Sequence, residues 1–171
     1  MPNWVENHIS ITTNHPVLID LLIKVEKTYA KDGVFDTLKP IGEWEYEKAC
    51  HSWGCKWDIS DPFVSLRETD GQVDFELTGQ TPWCSPDNLL KWVIDTFNND
   101  GFETNTKVAW LEEGGEWGVY ENSETVANGF LSVKDKKSTK TEAWDCLGNY
   151  FDLEGWLEGM FEDDEDEDED E

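Results

Sequence analysis

The spacing of the hydrophobic residues changes several times along this chain, and the order of those changes constrains the fold more than any other feature. Apolar and polar residues alternate from position 7 to position 12, which predicts a half-buried strand. Apolar residues then recur every three or four positions, which predicts an amphipathic helix that begins after Asn14 and ends at Gly33. The first unit is therefore a strand followed by a helix.

The same two spacings return after position 60. Segments 63–67 and 73–78 flank Asp70-Gly71, a pair that favours a tight turn between two paired strands. A second helix is predicted from its apolar residues at positions 89 to 97, with Ser85 as its cap and Pro86 in its first turn. Further strands are predicted over 104–112, 117–121 and 126–133.

This order of elements predicts an α+β fold, a ferredoxin-like split βαβ sandwich with an antiparallel sheet and two helices on one face. The predicted domain spans residues 1–133, with a long Trp-rich insert at 34–61 and a hairpin extension at its end. A polar linker at 134–140 and an amphipathic C-terminal segment at 141–161 follow. We expect that segment to dock on the domain rather than on a partner, because apolar stripes usually belong to a core. The acidic tail at 162–171 is predicted to be disordered.

The chain is strongly acidic. It holds 39 acidic and 13 basic residues, a formal net charge of -26, and the tail supplies ten of the acids, so the rest of the chain still carries -16. Such a field repels phosphate backbones and anionic membrane surfaces, so we expect neither direct nucleic-acid binding nor membrane binding. The same field attracts basic surfaces and speeds association with them.

No targeting segment or membrane span is predicted. The first residues lack a basic start followed by an apolar stretch, and no apolar run approaches the length of a membrane span. We therefore expect a soluble, cytosolic protein. In that compartment Cys50, Cys55, Cys84 and Cys146 are expected to be free thiols.

Several tryptophan motifs carry a family resemblance. They are Met1-Pro2-Asn3-Trp4, Trp53-Gly54-Cys55-Lys56-Trp57-Asp58, Thr81-Pro82-Trp83-Cys84-Ser85-Pro86 and Trp110-Leu111-Glu112-Glu113-Gly114-Gly115-Glu116-Trp117-Gly118. Across residues 1–122 the chain resembles phage and plasmid proteins that carry a YubB-type ferredoxin-like domain. The resemblance implies that fold, a mobile-element origin and a location in the host cytoplasm. It implies no established activity.

These motifs also supply a candidate ligand site. If Trp4, Trp53, Trp57, Trp83 and Trp110 converge at one end of the sheet, their rings form a stacking surface or a pocket. A core role is favoured because Trp is highly buried on average. The candidate ligand-binding residues are Trp4, Asn7, Trp53, Lys56, Trp57 and Trp83.

Cysteine and histidine do not form a recognised catalytic or metal motif. Cys50, His51 and Cys55 lack the spacing of zinc knuckles, and the distant Cys84 or Cys146 would have to complete the ligand set. Acidic surroundings raise the pKa of a thiol, which disfavours a cysteine nucleophile. Motifs for phosphate loops, dinucleotides, metalloproteases and serine hydrolases are absent from the sequence. We predict no cofactor and no metal site, and the sequence favours a binding protein over an enzyme without deciding between them.

Charge and resemblance together predict a non-enzymatic acidic protein of a phage or mobile element. We expect it to bind a basic host protein that handles nucleic acid, as a nucleic-acid mimic or as another inhibitor of host defence. Two alternatives are a small-ligand-binding protein or enzyme with a Trp-lined pocket, and a virion or scaffold accessory protein that docks through 141–161. The candidate partner-binding carboxylates are Asp74, Glu76, Glu112, Glu113, Glu116, Glu162, Asp163 and Asp164.

Overall fold

The computed structural model describes residues 3–131, 143 and 145–155. The predicted linker at 134–140 and the predicted acidic tail at 162–171 lie outside these residues, as do parts of 141–161. In the described part of the chain, no helix is both long enough and apolar enough to span a bilayer.

Within residues 3–131, six strands and four helices make up a mixed α+β fold, as the sequence predicts. The strands are β1 (Trp4–Thr13), β2 (Ser60–Thr69), β3 (Gln72–Pro82), β4 (Thr104–Glu112), β5 (Glu116–Glu121) and β6 (Glu124–Phe130). The helices are α1 (Pro16–Asp32), α2 (Phe35–Leu38), α3 (Tyr46–Trp53) and α4 (Asp87–Phe97). The strands form one sheet in the order β2-β3-β1-β4-β5-β6, in which every neighbouring pair is antiparallel.

Helices α1 and α4 share the main core with one face of the sheet. Ile9 and Ile11 of β1 are 1% exposed and belong to the same apolar cluster as Leu18 and Leu22 of α1 and Val93 of α4. The residues between them on β1 point to the opposite face, because successive side chains alternate along a strand. The alternation predicted for positions 7 to 12 is confirmed.

Several of the other predicted strands are present with different bounds, since β2 and β3 extend beyond the predicted 63–67 and 73–78, and β6 begins and ends before the predicted 126–133. The hairpin between β2 and β3 turns at Asp70 and Gly71, whose positive φ angles of 51° and 81° suit a tight primed turn. The predicted Ser85 cap is wrong. Helix α4 begins at Asp87 with no side-chain cap, and the buried Ser85 instead accepts the N–H of Asp87 through its backbone carbonyl at 2.9 Å.

The insert at 34–61 contains two short helices that its sequence pattern does not predict. Helix α2 has four residues and α3 has eight, so neither is long enough to show a clear period. Both contribute to the main core, since Phe35 is fully buried and Trp53 is only 3% exposed. The insert is therefore a packed part of the domain.

A second, smaller core lies on the opposite face of the sheet, beside β4, β5 and β6. It contains Trp117 and Val119 of β5 together with Ala143, Leu147 and Leu153 from the predicted C-terminal segment. All five are at most 4% exposed. The described part of that segment therefore packs against the sheet of its own chain.

Candidate functional site

Three exposed tryptophan rings lie in the region formed by the insert and the turn after β3. Trp44 and Trp57 belong to the insert and Trp83 follows β3; they are 48%, 39% and 49% exposed. The ring centroids of Trp57 and Trp83 are 6.3 Å apart, with 31° between the ring planes. We call Trp44, Trp57 and Trp83 the indole cluster. Exposed apolar side chains that lie together are typical of binding surfaces, and Trp is prominent among the residues that carry binding energy.

Lys56 contacts all three members of the indole cluster. Its Nζ lies 4.1 Å from the ring centroid of Trp57 and 5.2 Å from that of Trp83, both within the range of cation–π attraction. Its backbone carbonyl accepts a hydrogen bond from Trp44 Nε1 at 3.1 Å. The sequence placed Lys56, Trp57 and Trp83 in one site, and the structure brings them together. Trp44 was missed because no motif marks it.

The carboxylate of Asp58 fixes the insert just beyond Lys56 and Trp57. It accepts four backbone hydrogen bonds, from Val34 (3.2 Å), Phe35 (2.9 Å), Asp36 (3.0 Å) and Ile59 (2.8 Å). Burial raises the pKa of Asp58, and the four N–H donors oppose that rise. One side chain therefore ties the start of α2 to the segment that carries the indole cluster.

The turn that carries Trp83 is held in an uncommon conformation. Trp83 has a φ of 64°, in the left-handed region that bulky residues avoid. Its N–H donates to the carbonyl of Asn3 at 2.8 Å, and Thr81 Oγ1 donates to the carbonyl of Cys84 at 2.8 Å. Cys84 Sγ donates to the carbonyl of Gly54 at 3.0 Å, which ties the turn to the insert. Such backbone strain is concentrated at functional sites, where the surrounding structure maintains it.

Asn7 and Trp53, two of the predicted ligand-binding residues, are buried. Asn7 is 1% exposed and donates through Nδ2 to the carbonyl of Val5 and to Thr81 Oγ1, both at 2.8 Å. Trp53 donates through Nε1 to the carbonyl of Lys39 at 3.0 Å. Neither side chain reaches the surface to contact a ligand, contrary to the prediction, and Asn7 instead supports the turn that carries Trp83 through Thr81.

Trp4 and Trp110 do not complete a five-tryptophan cluster. Trp4 is the half-buried first residue of β1, opposite Pro82 of β3. Trp110 is opposite Asn7 in the register and therefore lies on the sheet face that packs against the helices. Its ring covers Gly118 and lies 6.3 Å from the ring of Tyr120. The predicted convergence holds for Trp57 and Trp83 only.

Two thiols near the indole cluster, those of Cys55 and Cys84, have raised pKa values. Burial raises the pKa of Cys55, and Cys84 and Asp58 raise it further. Burial also raises the pKa of Cys84. Raised thiol pKa values agree with the prediction, although burial is the larger cause. Within the described residues, no three His, Cys, Asp or Glu side chains are arranged to hold a metal ion.

Asp74 and Glu76, two of the predicted partner-binding carboxylates, lie on the sheet face opposite α1 and α4. Asp74 accepts hydrogen bonds from Arg67 Nη2 at 2.9 Å and from Thr12 Oγ1 at 3.1 Å, which lower its pKa. Glu76 Oε2 lies 3.6 Å from Nδ1 of His8. Burial raises the pKa of Glu76, and the neighbouring Asp74 adds to that rise.

The other predicted carboxylates of the described chain surround the turn between β4 and β5, at the same end of the sheet as Trp83. Glu112 accepts a hydrogen bond from Asn3 Nδ2 at 2.5 Å, and Glu113 accepts one from the backbone of β1 at 3.0 Å. Asn3 thus connects Glu112 to the backbone of Trp83. Glu116 is exposed at the start of β5. The predicted residues Glu162, Asp163 and Asp164 lie outside the described part of the chain.

A groove with a volume of about 370 Å³ lies beside β1 and β3, with Tyr150 of the C-terminal segment on its wall. The imidazole ring of His8 lines the groove with its centroid 5.0 Å from that of Tyr150. Burial lowers the pKa of His8. The sequence did not reveal this groove, because Tyr150 is far from His8 along the chain and no pattern joins them.

Comparisons with known proteins do not place this chain in a family. No family model and no curated protein sequence matches it. Among solved structures it is similar to the crystal structure of protein api92 from Yersinia pseudotuberculosis, described with the family model DUF1281, at 14% identity and a TM-score of 0.33. The match covers 52% of this chain and 30% of that protein. A likeness this remote carries no argument about fold or function.

Proposed function

We propose that this protein is a non-enzymatic acidic binding protein whose partner is a basic host protein that handles nucleic acid. The observation that carries the proposal is the charge of the folded part. Residues 3–131 contain 23 acidic and 9 basic side chains, a formal charge of -14. Four of those bases are held by carboxylates of the protein itself, in the pairs Lys48–Glu45, Arg67–Asp74, Lys91–Asp95 and Lys107–Glu121. The surplus of carboxylates attracts cationic surfaces.

The indole cluster supplies the apolar anchor for that partner. Long-range charge speeds association and suppresses wrong partners, but most binding energy comes from a few well-packed residues such as Trp, Tyr and Arg. Trp57 and Trp83 have exposed rings, and Asn3 connects the backbone of Trp83 to the carboxylate of Glu112. Apolar anchors beside carboxylates suit a partner surface that combines arginine and apolar groups.

We propose further that β1 to β4 with α1 and α4 form a ferredoxin-like unit. The strand order β2-β3-β1-β4 and the shared packing of both helices on one sheet face support it. In this proposal the insert, β5 and β6 are additions to the unit. The tryptophan motifs that resemble those of YubB-type proteins support a phage or plasmid origin and action in the host cytoplasm.

In the mimic form of the proposal, carboxylates occupy the nucleic-acid site of the partner. Asp74 and Glu76 lie two positions apart on β3 and are therefore separated by about 6.8 Å along it, and Asp74 would exchange its ion pair with Arg67 for one with the partner. That separation is about twice the rise of 3.4 Å per phosphate of one DNA strand. If this form is correct, duplex DNA or RNA competes with this protein for the same site and releases the partner from it. If this protein instead inhibits the partner from another site, the complex remains bound when nucleic acid is added.

The two alternatives from the sequence have less support. A Trp-lined pocket gains from the exposed rings of Trp57 and Trp83 but loses Asn7 and Trp53, which are buried. Docking of a virion or scaffold partner on the C-terminal segment loses Leu147, because this residue packs on the protein's own sheet.

Affinity capture from host lysate tests the proposed function. Three proteins are immobilised: the full-length protein, residues 1–161 and the double variant Trp57→Ala/Trp83→Ala. Lysate is applied to each at low and at high salt. Phe63→Ala is the matched control, because Phe63 is an exposed aromatic residue (66%) on β2. We expect a basic, nucleic-acid-handling protein to bind the full-length protein and the Phe63→Ala variant, to be released by salt and to be lost in the double variant. Retention of no basic protein, or equal retention by the double variant, would contradict the proposal.

A further inference from the structure

We infer that the ring faces of Trp57 and Trp83 form a binding site for an arginine side chain of the partner, and that Lys56 occupies this site in the free protein. The inference rests on the proposed function, since it names the chemical group through which a basic partner is recognised. It adds that the protein carries its own competing cation, which the partner displaces.

The geometry of the two rings supplies the first support. Lys56 Nζ lies over both rings, 4.1 Å from the centroid of Trp57 and 5.2 Å from that of Trp83, so one side of the ring pair holds a cation in contact with two aromatic faces. The two rings are tilted by 31° and their centroids are 6.3 Å apart. An aromatic face attracts a cation electrostatically, and sites built from several such faces recognise cationic ligands.

The weak attachment of Lys56 supplies the second support. Within residues 3–131, Lys48 and Lys107 each pair with a carboxylate at 2.6 Å and 2.8 Å, whereas the ammonium group of Lys56 forms no salt bridge there. Trp57 and Trp83 also remain 39% and 49% exposed with Lys56 in place, so an incoming side chain reaches both rings. Lys56 is therefore held mainly by the rings and can be exchanged for another cation.

Arginine is the cation that suits the ring faces of Trp57 and Trp83 best. A guanidinium group is planar and less strongly hydrated than an ammonium group, and it stacks on aromatic faces. It therefore replaces the ammonium of Lys56 at a smaller desolvation cost. The net charge of -14 in residues 3–131 also raises the local concentration of cationic side chains around the protein.

A titration with a defined probe tests the inference. The full-length protein is titrated with acetyl-arginine amide while the indole N–H signals are followed by NMR. Acetyl-citrulline amide, a neutral probe of the same shape, is the ligand control. We expect arginine to bind weakly to the wild type, and Lys56→Ala to bind it about fivefold more tightly, because a competing cation–π contact of roughly 1 kcal/mol is removed. Trp83→Ala should abolish binding, and citrulline should not bind.

Lys48→Ala is the matched control variant, because it removes the same charge from the neighbouring helix α3 without touching the rings. Equal tightening by Lys48→Ala and Lys56→Ala, or none in either variant, would refute the inference. Arginine binding without any captured protein would keep the cation site and refute the proposed function. Capture of a basic protein that is unaffected by Lys56→Ala and by Trp83→Ala would keep the function and refute the cation site.

Discussion

Substitution of Asp58 by alanine is the perturbation whose effect follows most directly from the contacts in the insert. The carboxylate accepts hydrogen bonds from three consecutive N–H groups at the start of α2 and from Ile59. Val34 and Phe35 are fully buried, so water cannot replace the lost acceptor at their N–H groups. Gly33 packs closely against the carboxylate, since a Cβ there would be 2.5 Å from Asp58 Oδ2.

The magnitude follows from two opposing effects. Each buried donor left without an acceptor costs about 1–3 kcal/mol, so the N–H groups of Val34 and Phe35 together cost about 2–6 kcal/mol. Removal of the carboxylate also relieves the cost of burying it, which is the cost that raises the pKa of Asp58. We expect Asp58→Ala to lower the free energy of unfolding by about 2–4 kcal/mol, which corresponds to a fall in Tm of about 5–15 °C.

Urea denaturation followed by circular dichroism measures this change. Asp58→Asn keeps one oxygen acceptor and should lose about half as much stability. Glu26→Ala removes a carboxylate from the exposed face of α1 and should change stability by less than about 0.5 kcal/mol. An Asp58→Ala variant as stable as Glu26→Ala would refute the conclusion that Asp58 holds the insert.

Three further predictions concern packing and titration. Leu147→Ala should cost about 2–5 kcal/mol in urea denaturation because Leu147 is fully buried, and no loss would mean that the C-terminal segment does not pack on the sheet. Gly118→Ala should cost about 1–3 kcal/mol by the same measurement, since its Cβ would lie 2.8 Å from the ring of Trp110; an unchanged midpoint would contradict that packing. Burial lowers the pKa of His8 below its unfolded value, so its contribution to stability is complete above the unfolded pKa and is lost as the pH falls from that value through the lower folded pKa. His8→Asn should therefore lose less stability than the wild type between pH 7.5 and 5.5. The raised pKa of Glu76 increases stability as the pH falls, and it does so in both proteins. Equal losses of stability in the two proteins would contradict the pKa shift of His8.

The sheet and its two long helices were predictable because their periods extend over many residues. Strand β4 was predicted at its observed bounds, and α1 ends at Asp32 just before Gly33, as predicted. Helices α2 and α3 were not predicted, because four and eight residues are too few to display a period. Three of the four backbone groups that donate to Asp58 lie 22 to 24 residues earlier in the chain, and no side-chain pattern reveals such contacts.

The candidate site was predictable in part for the same reason. The motif around Lys56 and Trp57 and the motif around Trp83 identified the two segments that meet. The other members of the site depend on burial, which the motifs do not predict. Trp53 lies in a motif but is buried in the core, whereas Trp44 is exposed and lies in no motif. Which tryptophan faces solvent depends on the packing of the insert, and the sequence does not encode that packing as a period.

Hydrogen–deuterium exchange of the full-length protein, alone and bound to the captured basic partner, tests the central claim most directly. The account predicts slower backbone exchange on binding in residues 44–58 and 81–88, the segments that carry and support the indole cluster. Unchanged exchange in both segments, with protection confined to other parts of the protein, would contradict it.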